Sequence, residues 1–238
     1  MKKLLWLLVP VYLLFSSFIF KDPKTNFTEK NASAVTSEVD STPDLYSEID
    51  FGRSAKIDAN VFSYALKGFE NLKKEGLVSP NTRYLSVVDY SLSSNKKRLW
   101  IFDMTSKKVA FHSLVAHGKN TGDEFAKNFS NTEGSLQTSL GFFITENTYF
   151  GENGYSLKLR GMDSGFNDAA MSRAIVMHGA DYVSENFAAQ HKRIGRSWGC
   201  PAVPRELADD IINSIKGKNV LFAYYRDSEY LSQSKWLK

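Results

Sequence analysis

From residue 83 to residue 225 the chain is a succession of short runs rich in β-branched and aromatic residues. That pattern restricts the fold more than any other feature. RYLSVVDYS (83–91), KRLWIFDM (97–104), KVAFHSLVAHG (108–118), LGFFITENTY (140–149), YSLKLRGM (155–162), RAIVMHG (173–179) and NVLFAYY (219–225) all have strand length and strand composition. TSKK, between the second and third runs, reads as a hairpin turn. Such runs must pair in a sheet, and 17 Phe and 11 Tyr supply side chains for a β-rich core. Helical signals are fewer. In DANVFSYALKGFENLKKEGLVSP, residues Phe62, Ala65, Leu66, Phe69 and Leu72 recur at three- and four-residue spacing. Asp58 is placed to cap that helix and Gly76 to stop it. SENFAAQHKR (184–193), with Ser184 as cap, and PRELADDIINSIKGK (204–218), with Pro204 at its start, read as two further helices. The expected class is α+β and β-rich, one domain over residues 56–238 beginning with a helix.

The N-terminus differs in kind. Lys2 and Lys3 precede an apolar run from Leu4 to Phe20, the layout of an export signal. The run is slightly short for a membrane span of ~20 residues and is interrupted by Pro10. No small-residue cleavage site follows closely, so a cleaved signal and a retained inner-membrane anchor both stay open. Residues 21–55 are polar, without apolar periodicity, and read as a solvated linker. The net charge is +4, half of it from Lys2 and Lys3, and no basic block is interleaved with aromatics. Nucleic-acid binding is therefore set aside.

In an exported chain a lone cysteine stands out, because exported cysteines commonly pair. Cys200 has no intrachain partner and sits in the turn-forming stretch RIGRSWGCPAVP, which makes it a candidate nucleophile. Thiol attack on an acyl group needs a base and donors for the oxyanion. His178 ends the apolar run AIVMH before Gly179, where a scaffold strand gives way to a loop. The backbone amides of Gly199 and Cys200 are available to a substrate oxygen, and an imidazolium beside the sulfur favours the thiolate. His117-Gly118 opens the polar stretch 118–139 and is a second candidate for the cleft. His112 and His117, five apart, face opposite sides of a regular strand, against a shared metal. Neither metal nor cofactor is expected.

HGADYVSENFAAQHKRIGRSWGCPAVP strongly resembles the active-site segment of the L,D-transpeptidases, whose catalytic domain is of the YkuD type. The pattern is His-Gly, a spacer, then Ser-x-Gly-Cys, here His178-Gly179 and Ser197-Trp198-Gly199-Cys200. The Ser-Trp-Gly-Cys-Pro form resembles the branch called murein L,D-transpeptidase catalytic domain proteins. Similarity extends through LVAHGKNTG, NTEGSLQTSLGFF and SKWLK, most of residues 80–238.

The resemblance implies a mixed β-sandwich or barrel with flanking helices. Its implied substrate is the peptidoglycan stem peptide and its compartment the periplasm or cell envelope. In this reading Cys200 attacks the carbonyl of the third stem residue and expels the terminal D-alanine. His178 acts as base and then acid, and the Gly179 carbonyl fixes its tautomer. The thioacyl-enzyme passes to an amine, giving a 3–3 cross-link. Two alternatives stand beside it: release to water as an L,D-carboxypeptidase, and a wall-binding module with an inert thiol. Ser197 is expected to support the turn or the substrate. Trp198 and Tyr182 either contact substrate or pack on the core. The wider family carries arginine two residues after the cysteine, where this chain has Ala202. Arg196 is the preferred stand-in, ahead of Arg205.

Overall fold

The computed structural model describes residues 45–238. The leader and the greater part of the polar segment lie outside the described residues. The sequence-predicted linker reached residue 55, yet a short helix α1 (Leu45–Glu48) and the residues after it belong to the folded domain. Ile49 and Phe51 are buried in the core, Asp50 bridges to Lys108, and Tyr46 packs edge-on against Phe51. Three apolar side chains in a polar stretch sufficed to tether it.

Helix α2 (Ala59–Lys74) starts where expected, with the Asp58 carboxylate accepting from the Asn60 and Val61 amides. Its apolar stripe covers one face of a single mixed sheet of eight strands. These are β1 (Tyr84–Asp89), β2 (Leu99–Asp103), β3 (Lys108–Ser113), β4 (Gly141–Gly151), β5 (Gly154–Gly161), β6 (Val176–Ala180), β7 (Ala202–Pro204) and β8 (Val220–Tyr224). The spatial order is β3-β2-β1-β8-β4-β5-β6-β7. Neighbours are antiparallel except β1–β8 and β6–β7, which are parallel.

Two cores result. On one face Phe62, Ala65, Phe69 and Leu72 of α2 meet Leu85, Val87, Trp100, Phe102, Phe142 and Phe222. The helix lies so close that a Cβ on Gly68 would stand 2.0 Å from the Phe142 ring. On the other face Ala208, Ile211, Ile212 and Ile215 of helix α4 (Arg205–Ile215) meet Leu157, Met177, Val203 and Leu221. A third helix, α3 (Glu185–His191), is capped by Ser184.

Two elements depart from the sequence reading. Residues 173–175 form a turn, and the strand begins at Val176, because Ala174 takes a left-handed φ of 53°. The three-residue β7 is too short to leave a periodic signal. After α5 (Ser228–Gln233), Trp236 of the tail is buried against α2 and its indole donates to the Met162 carbonyl at 2.8 Å.

Candidate active site

Register places the candidates. His178 is the ladder partner of Ser156 on β5 and of Ala202 on β7, and Ser156 pairs with Tyr149 on β4. Tyr149, Ser156, His178 and Ala202 thus form one row across four strands, with side chains on the same face. Met177 and Val203 point the opposite way, into the α4 core. Cys200 lies two residues before Ala202, in the turn that leads into β7, with its sulfur against Ala174 and Val176 at the start of β6. The parallel β6–β7 pair thus brings the turn carrying Cys200 next to the strand carrying His178.

The His178 ring is buried, with Nδ1 3.1 Å from the Gly179 carbonyl oxygen. A carbonyl only accepts, so Nδ1 carries the proton and Nε2 keeps its lone pair. Gly179 is tightly placed: a Cβ there would lie 2.8 Å from Ala208 Cβ. Burial pulls the His178 pKa below its ordinary value; the Gly179 hydrogen bond opposes this and the Arg205 charge adds to it.

The Cys200 thiol donates to the Ala174 carbonyl at 3.8 Å. Burial pushes its pKa up, with the Val176 amide and the Arg173 charge pulling the other way. Burial thus favours the neutral form of both groups, a thiol and a neutral imidazole. Desolvation disfavours the charged form of each group.

The turn is held by its own residues. Ser197 Oγ donates to the Cys200 carbonyl at 2.6 Å and accepts from the Gly199 amide at 3.1 Å. This corrects the expectation for Gly199: its N–H is committed to Ser197, and Gly199 adopts φ 127°, a region glycine tolerates. The Cys200 N–H, in contrast, meets no acceptor among the described residues. Ser197 supports the turn rather than facing the cleft. Trp198 is 76% exposed beside it. Tyr182 is half-buried over Gly195, with its phenol pushed up to about 12 by burial and, secondarily, by the nearby sulfur.

Two expected cleft residues do other work. His117 is fully buried: its Nδ1 accepts from Arg98 at 2.7 Å and its Nε2 lies 3.2 Å from the Gly122 carbonyl. Both ring nitrogens are spent. Arg196 Nη1 donates to the carbonyls of Lys119 and Gly122 and to Asp123, which pins the start of the 118–139 loop. Arg205 pairs with Asp181. Neither arginine is left to replace the one absent at Ala202.

Arg173 and Arg98 escaped the sequence reading. Arg173 donates to the carbonyls of Ser130 and Gln137, both at 2.7 Å, and to the hydroxyls of Ser135 and Ser139. It ties the 130–139 stretch to the turn before β6, and its charge favours the Cys200 thiolate. Arg98 is fully buried, donates to Leu92, Val115 and His117, and lies over the Tyr90 ring. Arginines read as surface charge in a sequence unless something marks them buried. Thr138 completes the frame, accepting from the Gly118 amide and donating to the Gly199 carbonyl.

The L,D-transpeptidase catalytic domain matches this chain over residues 53–224, more than half its length. The chain belongs to that family. No curated protein matches it. Among solved structures it is similar to an L,D-transpeptidase from Mycobacterium smegmatis at 10% identity and TM-score 0.37, over 60% of this chain and 59% of the other. The Enterococcus faecium L,D-transpeptidase gives 13% and 0.37, over 60% and 50%. The helical cell shape determining protein Pgp2 from Campylobacter jejuni gives 12% and 0.39, over 70% and 57%. The chain thus spans about half to three fifths of the length of these structures, and likenesses this distant carry no argument about its chemistry. Within this L,D-transpeptidase domain, His178 and Cys200 both fall inside the matched residues. So do Arg173 and Arg98.

Proposed function

We propose that this chain is an exported cysteine acyltransferase of the bacterial envelope, acting on peptidoglycan stem peptides. One observation carries the reading. Within an L,D-transpeptidase domain, the lone thiol sits two residues before the strand that pairs with His178, whose Nε2 has no hydrogen-bond partner among the described residues.

Catalysis begins when the Cys200 side chain turns from the Ala174 carbonyl toward His178, a hop between staggered rotamers. Nε2 takes the thiol proton as sulfur bonds to the acyl carbon of the third stem residue. The Cys200 amide donates to the developing oxyanion. His178 then protonates the amine of the expelled D-alanine, leaving a thioester. An amine of a second stem peptide attacks that thioester and surrenders its proton to Nε2, which passes it to the departing sulfur and restores the thiol. The Gly179 carbonyl holds the ring in the competent tautomer throughout. Export rests on the Lys-Lys-apolar leader.

Full-length protein, wild type and Cys200→Ala, incubated with purified disaccharide-tetrapeptide and read by mass spectrometry, tests the proposal. Cysteine-dependent dimers lacking one D-alanine are expected. A trimmed monomer alone would assign the thioester to water, and unchanged substrate with both proteins would leave only a binding module.

A further inference from the structure

The wall that holds the Cys200 sulfur also bounds a cavity. Ala174, Ile175 and Val176 line one side of a space of about 230 Å³, and Tyr149, Lys158 and Met171 line the rest. Ala174 accepts the thiol hydrogen and the Val176 amide favours the thiolate, so the nucleophile stands at the rim of this cavity. Its floor comes from β5, where Lys158 is the ladder partner of Val176.

Lys158 is the cation there without a counter-charge. Its ammonium lies 5.5 Å over the Tyr149 ring, a contact that holds it without neutralising it. No ion pair or hydrogen bond engages it among the described residues. The neighbouring cations are committed: Arg160 to Glu146, Arg173 to the 130–139 stretch, Arg196 to Asp123 and Arg205 to Asp181. An exposed lysine beside a nucleophile, on a floor otherwise aromatic and aliphatic, suits a peptide with one anionic end.

Lys158 and Ser156 alternate on β5 and share a face, and Ser156 is the ladder partner of His178, so Lys158 lies on the His178 face of the sheet.

We propose that Lys158, with Tyr149 and Met171, forms the subsite for the free C-terminal carboxylate of the residue expelled from the donor peptide, and that it fills the role left open at Ala202. This inference rests on the acyl-transfer reading above.

The test crosses the lysine with the carboxylate. Wild type, Lys158→Gln and Lys158→Arg are each given three donors: the disaccharide-tetrapeptide, its C-terminal amide, and a form whose third-residue side-chain carboxylate is amidated. For wild type, kcat/KM is expected to fall roughly 5–10-fold on C-terminal amidation, the scale of a partly exposed ion pair. Lys158→Gln should show the same loss on the acid and little further loss on the amide, and Lys158→Arg should keep the discrimination. Equal sensitivity of wild type and Lys158→Gln to C-terminal amidation would overturn the subsite. So would sensitivity only to the side-chain amide, which would give the lysine to the other carboxylate. Iodoacetamide labelling of Cys200 at the wild-type rate in each variant would show that the nucleophile is undisturbed. If wild type turns over none of the donors while its thiol still labels, the acyl-transfer reading falls and this inference falls with it. Turnover by wild type without the double-mutant pattern removes the inference alone.

Discussion

His117-Gly118 and His178-Gly179 are the same dipeptide, each closing a strand-like run, and both adjoin the Cys200 turn. Ser197 donates its amide to the His117 carbonyl, and Ala202 is the ladder partner of His178. Both rings are buried and both are held below the ordinary histidine pKa by burial. The difference lies in how many ring nitrogens are used. Arg98 and the Gly122 carbonyl occupy both nitrogens of His117. The Gly179 carbonyl occupies one nitrogen of His178. A buried histidine becomes a strut or a base according to whether its second nitrogen is left over.

The largest expected effect separates the two in activity and stability. His178→Ala should lower kcat/KM by roughly 10²–10⁴-fold, the scale of general acid–base catalysis, while the melting temperature changes little. His117→Ala should do the reverse. It strips a partner from the fully buried Arg98 and costs about 2–4 kcal/mol, with turnover per folded molecule nearly preserved. A comparable loss of turnover in folded His117→Ala would break the comparison.

Acid sharpens it next. His117 is pushed down to about 4 in the folded state, mainly by burial and then by Arg98, against an ordinary value of 6.5. Between those values the unfolded chain binds the proton and the folded one does not. Stability should therefore fall as pH drops from about 6.5 and stop falling on this account below about 4, a total of about 3 kcal/mol. Urea melts across this window should show a shallower acid loss in His117→Gln than in wild type. Identical slopes would mean that His117 does not titrate as a buried base.

The two glycines give a smaller test. A Cβ on Gly118 would stand 2.4 Å from the Leu136 carbonyl and 3.0 Å from Gly199 Cα, so Gly118→Ala pushes on the Cys200 turn itself. On Gly179 the Cβ meets α4 instead. Each alanine should cost about 1–3 kcal/mol by overpacking. Only Gly118→Ala is expected to slow Cys200 alkylation at fixed folded fraction; equal alkylation in both would detach the 117–118 strut from the nucleophile.

Much of this was legible in the sequence. The α2 stripe and its Asp58 cap, the run ending at His178 and the lone Cys200 all carry local signals, because periodicity, capping and composition act within a few residues. The struts do not. Arg98, Arg173 and Arg196 are defined by carbonyls far away in the chain, such as Val115, Gln137 and Lys119. A short polar string gives no sign that its arginine will be swallowed by a loop. The same holds for the Gly199 amide, whose capture by Ser197 depends on a turn geometry that the four letters SWGC do not display. The two His-Gly pairs could not be ranked by spacing alone, since the deciding partner of His117 is Arg98, just before β2.

The smallest effect concerns charge at the base. Arg205 opens α4 beside Gly179 and pairs with Asp181, with side-chain exposures of 51% and 81%. Such a pair contributes at most about 1 kcal/mol, so Arg205→Gln should leave the melting temperature nearly unchanged. Its charge still helps hold the His178 pKa down, behind burial. Turnover requires neutral His178, so kcat/KM rises with pH through that pKa. Removing the cation lets imidazolium persist to higher pH, and the acid limb of the profile should move upward. In wild type the limb should also climb with added salt, because an exposed charge is screened. In Arg205→Gln that salt response should shrink. A limb that stayed in place, with an unchanged salt response, would leave burial alone to set the base. Arg98 lowers the His117 pKa as Arg205 lowers that of His178, but it should show no such salt response, because it lies inside a core that salt does not reach.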